Sequence, residues 1–310
     1  MGENSIKEGV GLVLSGGGGK GAYQIGVLKA LKENGYLDDV VAISGASIGA
    51  INAMLYAMDD VEMMLKAWID VDMDTIFDVD LEMLIENKPF FSRDELIKIM
   101  EKYIDFNKIK NCSYDIYNSI CKLDPTTQNV QAEYRKLSDY DIETIKKILL
   151  ASTALPLVYE AVEIDGNYYR DGGICDNEPI KPLYDAGIRQ FIVIGLKHGK
   201  VLKEDKWPDA TFTTIYPSHD LGDIISGTLN FTDNAVKFRE KLGYKDGLRA
   251  IKTKFLKDET YIKMEPILAQ SDYNEITMQL RQENAYDTMS AKVNSHMDYF
   301  NKLAEKYDKY

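Results

Sequence analysis

Apolar and polar positions alternate along the first part of the chain in a way that predicts strands followed by helices. Val10 to Ser15 is almost continuously apolar, which is typical of a strand covered on both faces. From Ala22 to Asn34 the apolar residues instead recur at helical spacing, at Ile25, Leu28 and Leu31. A glycine-rich stretch, SGGGGKG, separates the two segments, so the chain opens with a strand, a loop and a helix.

The same order repeats after residue 40. Val40 to Ile43 predicts a second strand, the turn SGASIG follows, and the next helix carries Ile48, Ile51, Leu55 and Met58. Further strands are predicted at DIYNSICKLD, VQAEYRKL, RQFIVIGL and TFTTIYPS. A helix is predicted from about Asp141 to Ala151. A hairpin is predicted around Asp165 and Gly166, with Asp171 at its far end.

Strands that alternate with helices predict an α/β fold with a mostly parallel central sheet and helices on both faces. In such a sheet the loops beyond the carboxyl ends of the strands form the site. We expect a catalytic domain over residues 8–220, with a helical cap inserted at about 59–106, and a C-terminal helical extension over 221–310. The length of 310 residues suits either one large domain or a domain of ~200 residues with an appendage.

The glycine loop contains the pattern G-x-G-x-x-G, formed by Gly16, Gly18 and Gly21, which alone is a weak signal. A dinucleotide site also needs an acidic residue at the end of the second strand, where this chain has Ser44 and Gly45. A phosphate loop needs serine or threonine after the lysine, but Gly21 follows Lys20. A turn without any ligand remains an alternative, although so many glycines cost backbone entropy.

The second turn has the pattern G-x-S-x-G, from Gly45 through Ser47 to Gly49, between a predicted strand and a predicted helix. In that context the pattern indicates a nucleophile elbow, which exposes the serine hydroxyl beside the first N–H groups of the helix. A chance match in a turn of small residues is the commoner case for the bare pattern.

A serine nucleophile needs a base to take its proton. The chain has three histidines, His198, His219 and His296, and for each a surface or packing role is the commoner one. A carboxylate in a partly dry site can substitute, because burial raises its basicity. Asp171 is the best-placed candidate, since it ends a predicted strand and two flexible glycines, Gly172 and Gly173, follow it. Taken alone, Asp-Gly-Gly is more often a simple turn.

The net charge of −13 argues against a nucleic-acid partner and against electrostatic docking to anionic membranes. Any membrane contact is therefore expected to be hydrophobic. No apolar run approaches the ~20 residues of a membrane-spanning helix, and the N-terminus lacks the pattern of a secretory signal, so a cytoplasmic location is expected. Cys112, Cys121 and Cys175 match no metal spacing and are expected to be free thiols in a reducing compartment.

Four segments together resemble the patatin-like phospholipase family. They are SGGGGKGAYQIGVL, GASIGAIN, LLASTALPLVY and DGGICDNEP, which occur in the family's order and at its spacing. The resemblance covers roughly Val10 to Leu196, and YPSHDLGDIISGTLNF is similar to the continuation found in bacterial members. Any one segment is suggestive, whereas the set is highly specific.

The resemblance implies a dyad without histidine, with Ser47 as nucleophile and Asp171 as its proton acceptor. It also implies an oxyanion hole made by the backbone N–H groups of Gly17, Gly18 and Gly19. The implied activity is calcium-independent hydrolysis of fatty acyl esters of the phospholipase A or lysophospholipase type, through an acyl-serine intermediate and without metal or cofactor. Lys20 is either a contact for a phospholipid phosphate or a solvated surface lysine.

Other functions remain open on the sequence alone. A soluble-ester hydrolase or an acyltransferase would use the same dyad, a non-catalytic nucleotide-binding protein would reuse the glycine loop, and a scaffold protein would keep the fold without activity. Two departures from the family's pattern bear on the site. Asp176 and Glu178 add carboxylates beside Asp171 and should raise its pKa if they face it. Glu160 stands where a proline is common.

The cap contains an apolar segment, Asp74 to Phe91, with Phe90 and Phe91 at its end. Ordinary packing onto the sheet is the commoner role of such a stripe. The alternative is a lid or acyl-chain channel over Ser47, which would let an acidic protein engage lipid through apolar contact.

Overall fold

The structure is a computed structural model that describes residues 6–70, 93–124, 127, 129–156 and 158–307. Its strands are β1 (Val10–Leu14), β2 (Val40–Ala46), β3 (Asp115–Leu123), β4 (Val130–Lys136), β5 (Val162–Ile164), β6 (Asn167–Asp171), β7 (Gln190–Ile194) and β8 (Thr211–Ile215). Its α-helices are α1 (Ala22–Glu33), α2 (Ile48–Ala57), α3 (Val61–Ile69), α4 (Arg93–Tyr103), α5 (Phe106–Lys110), α6 (Ile142–Ser152), α7 (Lys181–Asp185), α8 (Asp233–Ala250) and α9 (Glu259–Tyr307).

The strands form one sheet in the order β5-β6-β3-β2-β1-β7-β8, with β4 also paired to β3. The pairings among β8, β7, β1, β2 and β3 are parallel, whereas β4, β5 and β6 run antiparallel to their neighbours. The predicted α/β fold with a mostly parallel sheet is therefore confirmed. The antiparallel strands are confined to the β3 side of the sheet.

Both faces of the sheet are covered, which explains why β1 is continuously apolar. Leu12 and Leu14 point into the larger core, together with residues of α1, α2 and α6. Val13 points to the opposite face and packs with Ile180 and Leu183 at the short helix α7. Apolar and polar residues do not alternate along β1, because both faces of this strand pack against apolar residues.

Residues after 220 pack directly on the sheet's helical layer. The helix α8 lies along α1, and the buried Tyr23 hydroxyl of α1 donates to Asp246 of α8 at 2.9 Å. Beyond it, α9 continues for 49 residues. The domain boundary at residue 220 stays a prediction. Among the residues that the structure describes, every helix is too short or too polar to cross a membrane.

The predicted cap is described only in part. Helices α3 and α4 lie within it, which agrees with its predicted helical character, and α5 begins at its end. The apolar segment from Asp74 to Phe91 lies outside the described residues, so its roles as lid or as core both stay predictions.

The expectation of three free thiols is wrong for two of them. Cys121 and Cys175 form a disulfide, with their Cα atoms 5.7 Å apart, and Cys112 is free. Pairing of β6 with β3 sets Cys121 opposite Arg170, and the turn after β6 brings residue 175 back to the same place. A separation of 54 residues in sequence concealed this proximity. The cytoplasmic location, which stays a prediction, therefore draws no support from these cysteines.

Candidate active site

Ser47 occupies a strained turn between β2 and α2. Its backbone has φ 54° and ψ −126°, a conformation that is uncommon for a residue with a side chain. A Cβ at Gly45 would lie 2.3 Å from the Gly49 carbonyl oxygen, and one at Gly49 would lie 2.2 Å from that of Leu14. Both glycines are thus needed for the strand and helix to approach, and the turn has the geometry of a nucleophile elbow.

The register of β3 explains how Ser47 meets Asp171. Along one edge β3 pairs with β4 through Tyr117–Leu123, which leaves only the other edge for β2 and β6. On that edge, β2 ends with Ala46 opposite Ser119 of β3. The next residue of β3, Ile120, lies opposite Asp171, the last residue of β6. The two strands therefore meet end to end along the same edge of β3.

This arrangement brings the two predicted catalytic side chains into contact. The Ser47 hydroxyl donates a hydrogen bond to Asp171 Oδ2 at 2.6 Å. The other oxygen, Asp171 Oδ1, accepts from the backbone N–H of Gly173 at 2.8 Å. The general rule placed the site beyond the carboxyl ends of parallel strands, but here an antiparallel strand supplies the carboxylate.

Burial dominates the electrostatics of Asp171. The residue is only 3% exposed, and desolvation raises its pKa to about 6, while the hydrogen bonds from Ser47 and Gly173 act in the opposite direction. A carboxylate with that pKa is ionised at neutral pH and is more basic than an exposed one. It is suited to accept a proton from the serine.

The two extra carboxylates near Asp171 have other partners. Asp176 accepts a hydrogen bond from the Tyr134 hydroxyl at 2.7 Å. Glu178 forms a salt bridge with Lys200 at 2.7 Å. The condition under which they were expected to raise the pKa of Asp171 is therefore not met, and burial is the cause of the upward shift.

The glycine loop lies beside this pair. Asn177 holds its start, since Gly16 N–H donates to Asn177 Oδ1 and Asn177 Nδ2 donates back to the Gly16 carbonyl, both at 3.2 Å. Gly17 and Gly18 line the cavity in front of Ser47, and their N–H groups donate to no residue that the structure describes. Gly19 is buried, and its predicted role as a third donor of the oxyanion hole stays a prediction.

A buried polar network supports the loop from below. Gln24 donates to the Ser15 carbonyl at 2.9 Å and accepts from Asn52 at 2.8 Å. Trp68 of α3 donates to Asn52 at 3.0 Å. Sequence analysis did not identify these side chains as part of the site, because polar groups on three separate helices carry no signal of their contact.

Ser152 is a further residue that sequence analysis missed. Its hydroxyl accepts the backbone N–H of Ser47 at 3.0 Å and donates to the Ser119 carbonyl at 2.8 Å. It therefore ties the elbow to β3 and stabilises the strained turn. Its only signal was its place in the run LLASTALPLVY, which carries part of the family resemblance.

Lys20 is not among the residues that line the cavity. Its aliphatic stem lies against the turn at 224–228, where a Cβ at Gly227 would come within 2.4 Å of Lys20 Cε. Burial lowers the pKa of Lys20, and the nearby Asp220 and Asp223 raise it. Its predicted contact with a phosphate stays a prediction.

The histidines are placed elsewhere. The ring of His198 bonds to the Pro217 carbonyl at 2.8 Å, and His219 stacks on Tyr273. Neither is among the residues that line the cavity. His296 lies on α9, and the structure describes only its backbone. The carboxylate of Asp171 is thus the basic group in contact with Ser47.

A cavity of about 470 Å³ opens in front of Ser47 and Asp171. Most of the side chains that line it are apolar: Ile48, Ile51, Leu55, Trp68, Met100, Tyr103, Ile104, Leu155, Val158, Tyr159, Ile174, Leu229 and Phe231. Its size suits a small organic ligand, and its lining suits a hydrocarbon chain. Within the described residues no group of three or more potential ligands is placed to hold a metal ion.

The chain is similar to several known proteins. The chain is 29% identical over 280 residues to R571, an uncharacterized protein of Acanthamoeba polyphaga mimivirus. This alignment covers 87% of this chain and 90% of R571. It is 28% identical over 244 residues to lysophospholipase NTE1 of Cryptococcus neoformans, covering 75% of this chain but 13% of that much longer protein. The crystal structure of VipD from Legionella pneumophila is similar with a TM-score of 0.48 and 15% identity, covering 93% of this chain and 78% of VipD.

The family of the chain is shown by the region that contains the candidate site. The family model described as patatin-like phospholipase matches residues 12–184. This match spans more than half of the chain and includes the glycine loop, the elbow and the Asp-Gly-Gly turn. The chain belongs to the patatin-like phospholipase family.

Proposed function

We propose that this chain is a lipid acyl hydrolase that cleaves fatty acyl esters with Ser47 as nucleophile and Asp171 as proton acceptor. Family membership supports hydrolysis of lipids in general. The observation that carries the specific proposal is the 2.6 Å hydrogen bond from Ser47 to Asp171 at the wall of an apolar cavity.

In the first step, Ser47 Oγ attacks the ester carbonyl carbon while its proton passes to Asp171 Oδ2. The charge that develops on the carbonyl oxygen is stabilised by the free N–H groups of Gly17 and Gly18. The tetrahedral intermediate then expels the alcohol, which takes the proton from Asp171, and an acyl-serine remains.

In the second step, a water molecule gives a proton to Asp171 and attacks the acyl-serine carbonyl. The same N–H groups stabilise the second oxyanion. Collapse of this intermediate releases the fatty acid, and the proton on Asp171 returns to Ser47 Oγ. The enzyme is thereby restored without a metal or cofactor.

A soluble-ester hydrolase or an acyltransferase would use the same residues. Turnover of a micellar phospholipid compared with that of a short water-soluble ester separates the first alternative, and acyl transfer to an added alcohol separates the second. The glycine loop is less suited to a nucleotide, because carbonyl oxygens of Thr228 and Asn230 already pack against Gly18 and Gly19. Labelling of Ser47 by a fluorophosphonate, without a rise in melting temperature on addition of ATP or NAD, would support the hydrolase.

The raised pKa of Asp171 predicts how activity depends on pH. Below about pH 6 the carboxylate becomes protonated and cannot accept the serine proton, so the acylation rate should fall about tenfold per pH unit. Above about pH 7 it should reach a plateau. The rate of fluorophosphonate labelling between about pH 4.5 and 8 measures this, with the fold checked by circular dichroism. A flat profile over that range would contradict the assignment of Asp171 as the base.

Burial of Asp171 also predicts that ionisation of its carboxyl group lowers the stability of the folded protein. The pKa of Asp171 is higher in the folded protein than in the unfolded chain, so folding is favoured at low pH and this contribution is lost as pH rises from about 4 to about 6. Asp171→Asn should therefore raise the free energy of unfolding at about pH 8 by up to roughly 3 kcal/mol. The gain should disappear at about pH 4.

Urea unfolding at the two pH values measures this difference. Asp165→Asn is a matched control, because Asp165 is exposed at the hairpin turn and asparagine tolerates its φ of 51° equally well. It should leave the free energy of unfolding nearly unchanged at both pH values. If Asp171→Asn were destabilising at pH 8, the penalty of the buried charge would be refuted.

We further propose that lipid approaches through the turn at 224–228. Ile224 and Ile225 are adjacent and 69% and 78% exposed, while Thr228 at the end of the same turn lines the cavity. A chain with a net charge of −13 gains little from charge attraction to a membrane, so apolar contact is the more favourable means. The turn therefore joins an exposed apolar pair to the cavity that would receive the acyl chain.

Replacing both Ile224 and Ile225 by serine should lower activity on phosphatidylcholine vesicles about tenfold or more and spare a short soluble ester. The change removes exposed apolar surface, so the melting temperature should stay nearly constant. Val201→Ser is the control, since Val201 is 83% exposed and lies outside the cavity lining. Equal loss on both substrates would exclude this turn as the lipid-binding surface.

A further inference from the structure

Arg239 of α8 is a buried arginine without a carboxylate partner. Only 3% of the residue is exposed, and its guanidinium forms no ion pair with any residue that the structure describes. Burial lowers its pKa to about 10, so the side chain still carries its charge at neutral pH. A buried charge without a counter-ion is costly, and its partners therefore need an explanation.

The guanidinium donates to four backbone carbonyls. Nη1 donates to Gly19 at 3.0 Å and also to Asn230. Nη2 donates to Ser226 at 2.8 Å and lies 3.5 Å from the Leu221 carbonyl oxygen. One of these carbonyls belongs to the glycine loop, and the other three belong to residues 221–230, which we call the covering segment.

The covering segment packs against the loop without any spare room. A Cβ at Gly18 would lie 2.2 Å from the Thr228 carbonyl oxygen, and a Cβ at Gly19 would lie 2.2 Å from that of Asn230. Arg239 donates to a carbonyl on each side of this contact, at Gly19 of the loop and at Ser226 of the covering segment. Gly18 and Gly17, which line the cavity, are one and two residues from Gly19, whose carbonyl accepts from Arg239.

A second buried arginine on the same helix shows the contrast. Arg249 is 5% exposed and pairs with two carboxylates, Asp246 and Asp272. Its charge is compensated in the usual way, and its partners are outside the cavity lining. Arg239 instead donates to backbone carbonyls of both the glycine loop and the covering segment.

We propose that Arg239 is a positioning residue for the oxyanion hole, which fixes the glycine loop by holding the Gly19 carbonyl and the covering segment together. The proposal depends on the proposed hydrolase function, and it concerns a residue beyond the region 12–184 that the family model matches. The fixed fork of a guanidinium suits this role, because a lysine ammonium cannot satisfy carbonyls in two directions with the same geometry.

The test compares Arg239→Lys and Arg239→Met with wild type on a short soluble ester. Misplaced oxyanion donors weaken the transition state more than substrate binding, so kcat should fall about 10- to 100-fold for methionine while KM changes little. Lysine should give a smaller loss, because it keeps the charge and some of the donors. The rate of fluorophosphonate labelling of Ser47 should fall in parallel with kcat.

The pH profile separates positioning from a change in the base. Arg239 is not among the groups that shift the pKa of Asp171, so the midpoint near pH 6 should stay in place while the plateau falls. Arg249→Lys and Arg249→Met are the matched controls. They should lower the melting temperature and keep the kcat of the folded protein, measured well below that temperature.

Each outcome decides the proposal. Wild-type kcat and labelling rate in a folded Arg239→Lys or Arg239→Met variant would overturn it. An equal loss of kcat in the Arg249 variants would also overturn it, because the effect would then follow stability and not loop position. If methionine prevents folding, the lysine variant decides. If wild type itself neither hydrolyses esters nor labels at Ser47, the proposed function fails and this proposal fails with it.

Discussion

Ser47→Ala and Asp171→Asn should each lower ester hydrolysis by on the order of 10,000-fold while the protein stays folded. Alanine removes the nucleophile, and asparagine cannot accept the proton that Ser47 now shares with Asp171 across 2.6 Å. Initial rates on a short ester and labelling by a fluorophosphonate measure the loss. Circular dichroism and melting temperature verify the fold of each variant.

The double variant gives a sharper test of the dyad. Because the two residues act as one unit, the combined loss should be close to that of the more damaging single change. His198→Ala and His219→Ala are controls and should keep most of the activity, since their rings contact Pro217 and Tyr273. If His198→Ala were as damaging as Asp171→Asn, the enzyme would be using a histidine and the dyad would be wrong.

Gly18→Ala should lower kcat by on the order of 100- to 1,000-fold, because it displaces the N–H groups of the proposed oxyanion hole. Gly18 has φ 56°, which alanine adopts only with strain, and the added methyl group would lie 2.2 Å from the Thr228 carbonyl oxygen. The loop or the covering segment must move to relieve this contact. Single-turnover labelling of Ser47 measures the effect on acylation directly.

Gly166→Ala separates strain from displacement of the loop. Gly166 has a similar φ of 74°, at an exposed hairpin turn, and a Cβ there would meet no atom within 4 Å. It should cost about 1 kcal/mol of stability and leave kcat unchanged. If Gly18→Ala behaved like Gly166→Ala, the glycine loop would have no role in stabilising the oxyanion.

Much of the fold follows from local sequence patterns. The strands and helices that flank the glycine loop and the elbow were predicted within a few residues, as was the hairpin at Asp165 and Gly166. These elements are specified by apolar periodicity and turn residues, which act over a few positions. Both motif residues of the proposed dyad were identified in the same way, and their catalytic roles stay predictions.

The contacts across long sequence separations could not be predicted from local patterns. Cys121 and Cys175 were expected to be free thiols, yet strand pairing brings them together. Asp176 and Glu178 were expected to raise the pKa of Asp171 if they faced it, yet their side chains contact Tyr134 and Lys200. In each case the outcome depends on which side chain, distant in sequence, the fold places nearby. Composition and local sequence patterns do not specify these contacts.

By itself, the sequence determined the family, the α/β class and the two motifs that present Ser47 and Asp171, because each is encoded in a short run of residues. Only the tertiary structure decided that these residues touch. Contact requires β2 and β6 to share one edge of β3 and to meet there end to end. It likewise decided that Arg239, 220 residues after Gly19 in the chain, binds the glycine loop. Hydrogen bonds and burial act over a few ångströms in space, so they depend on the folded path of the chain and not on its order.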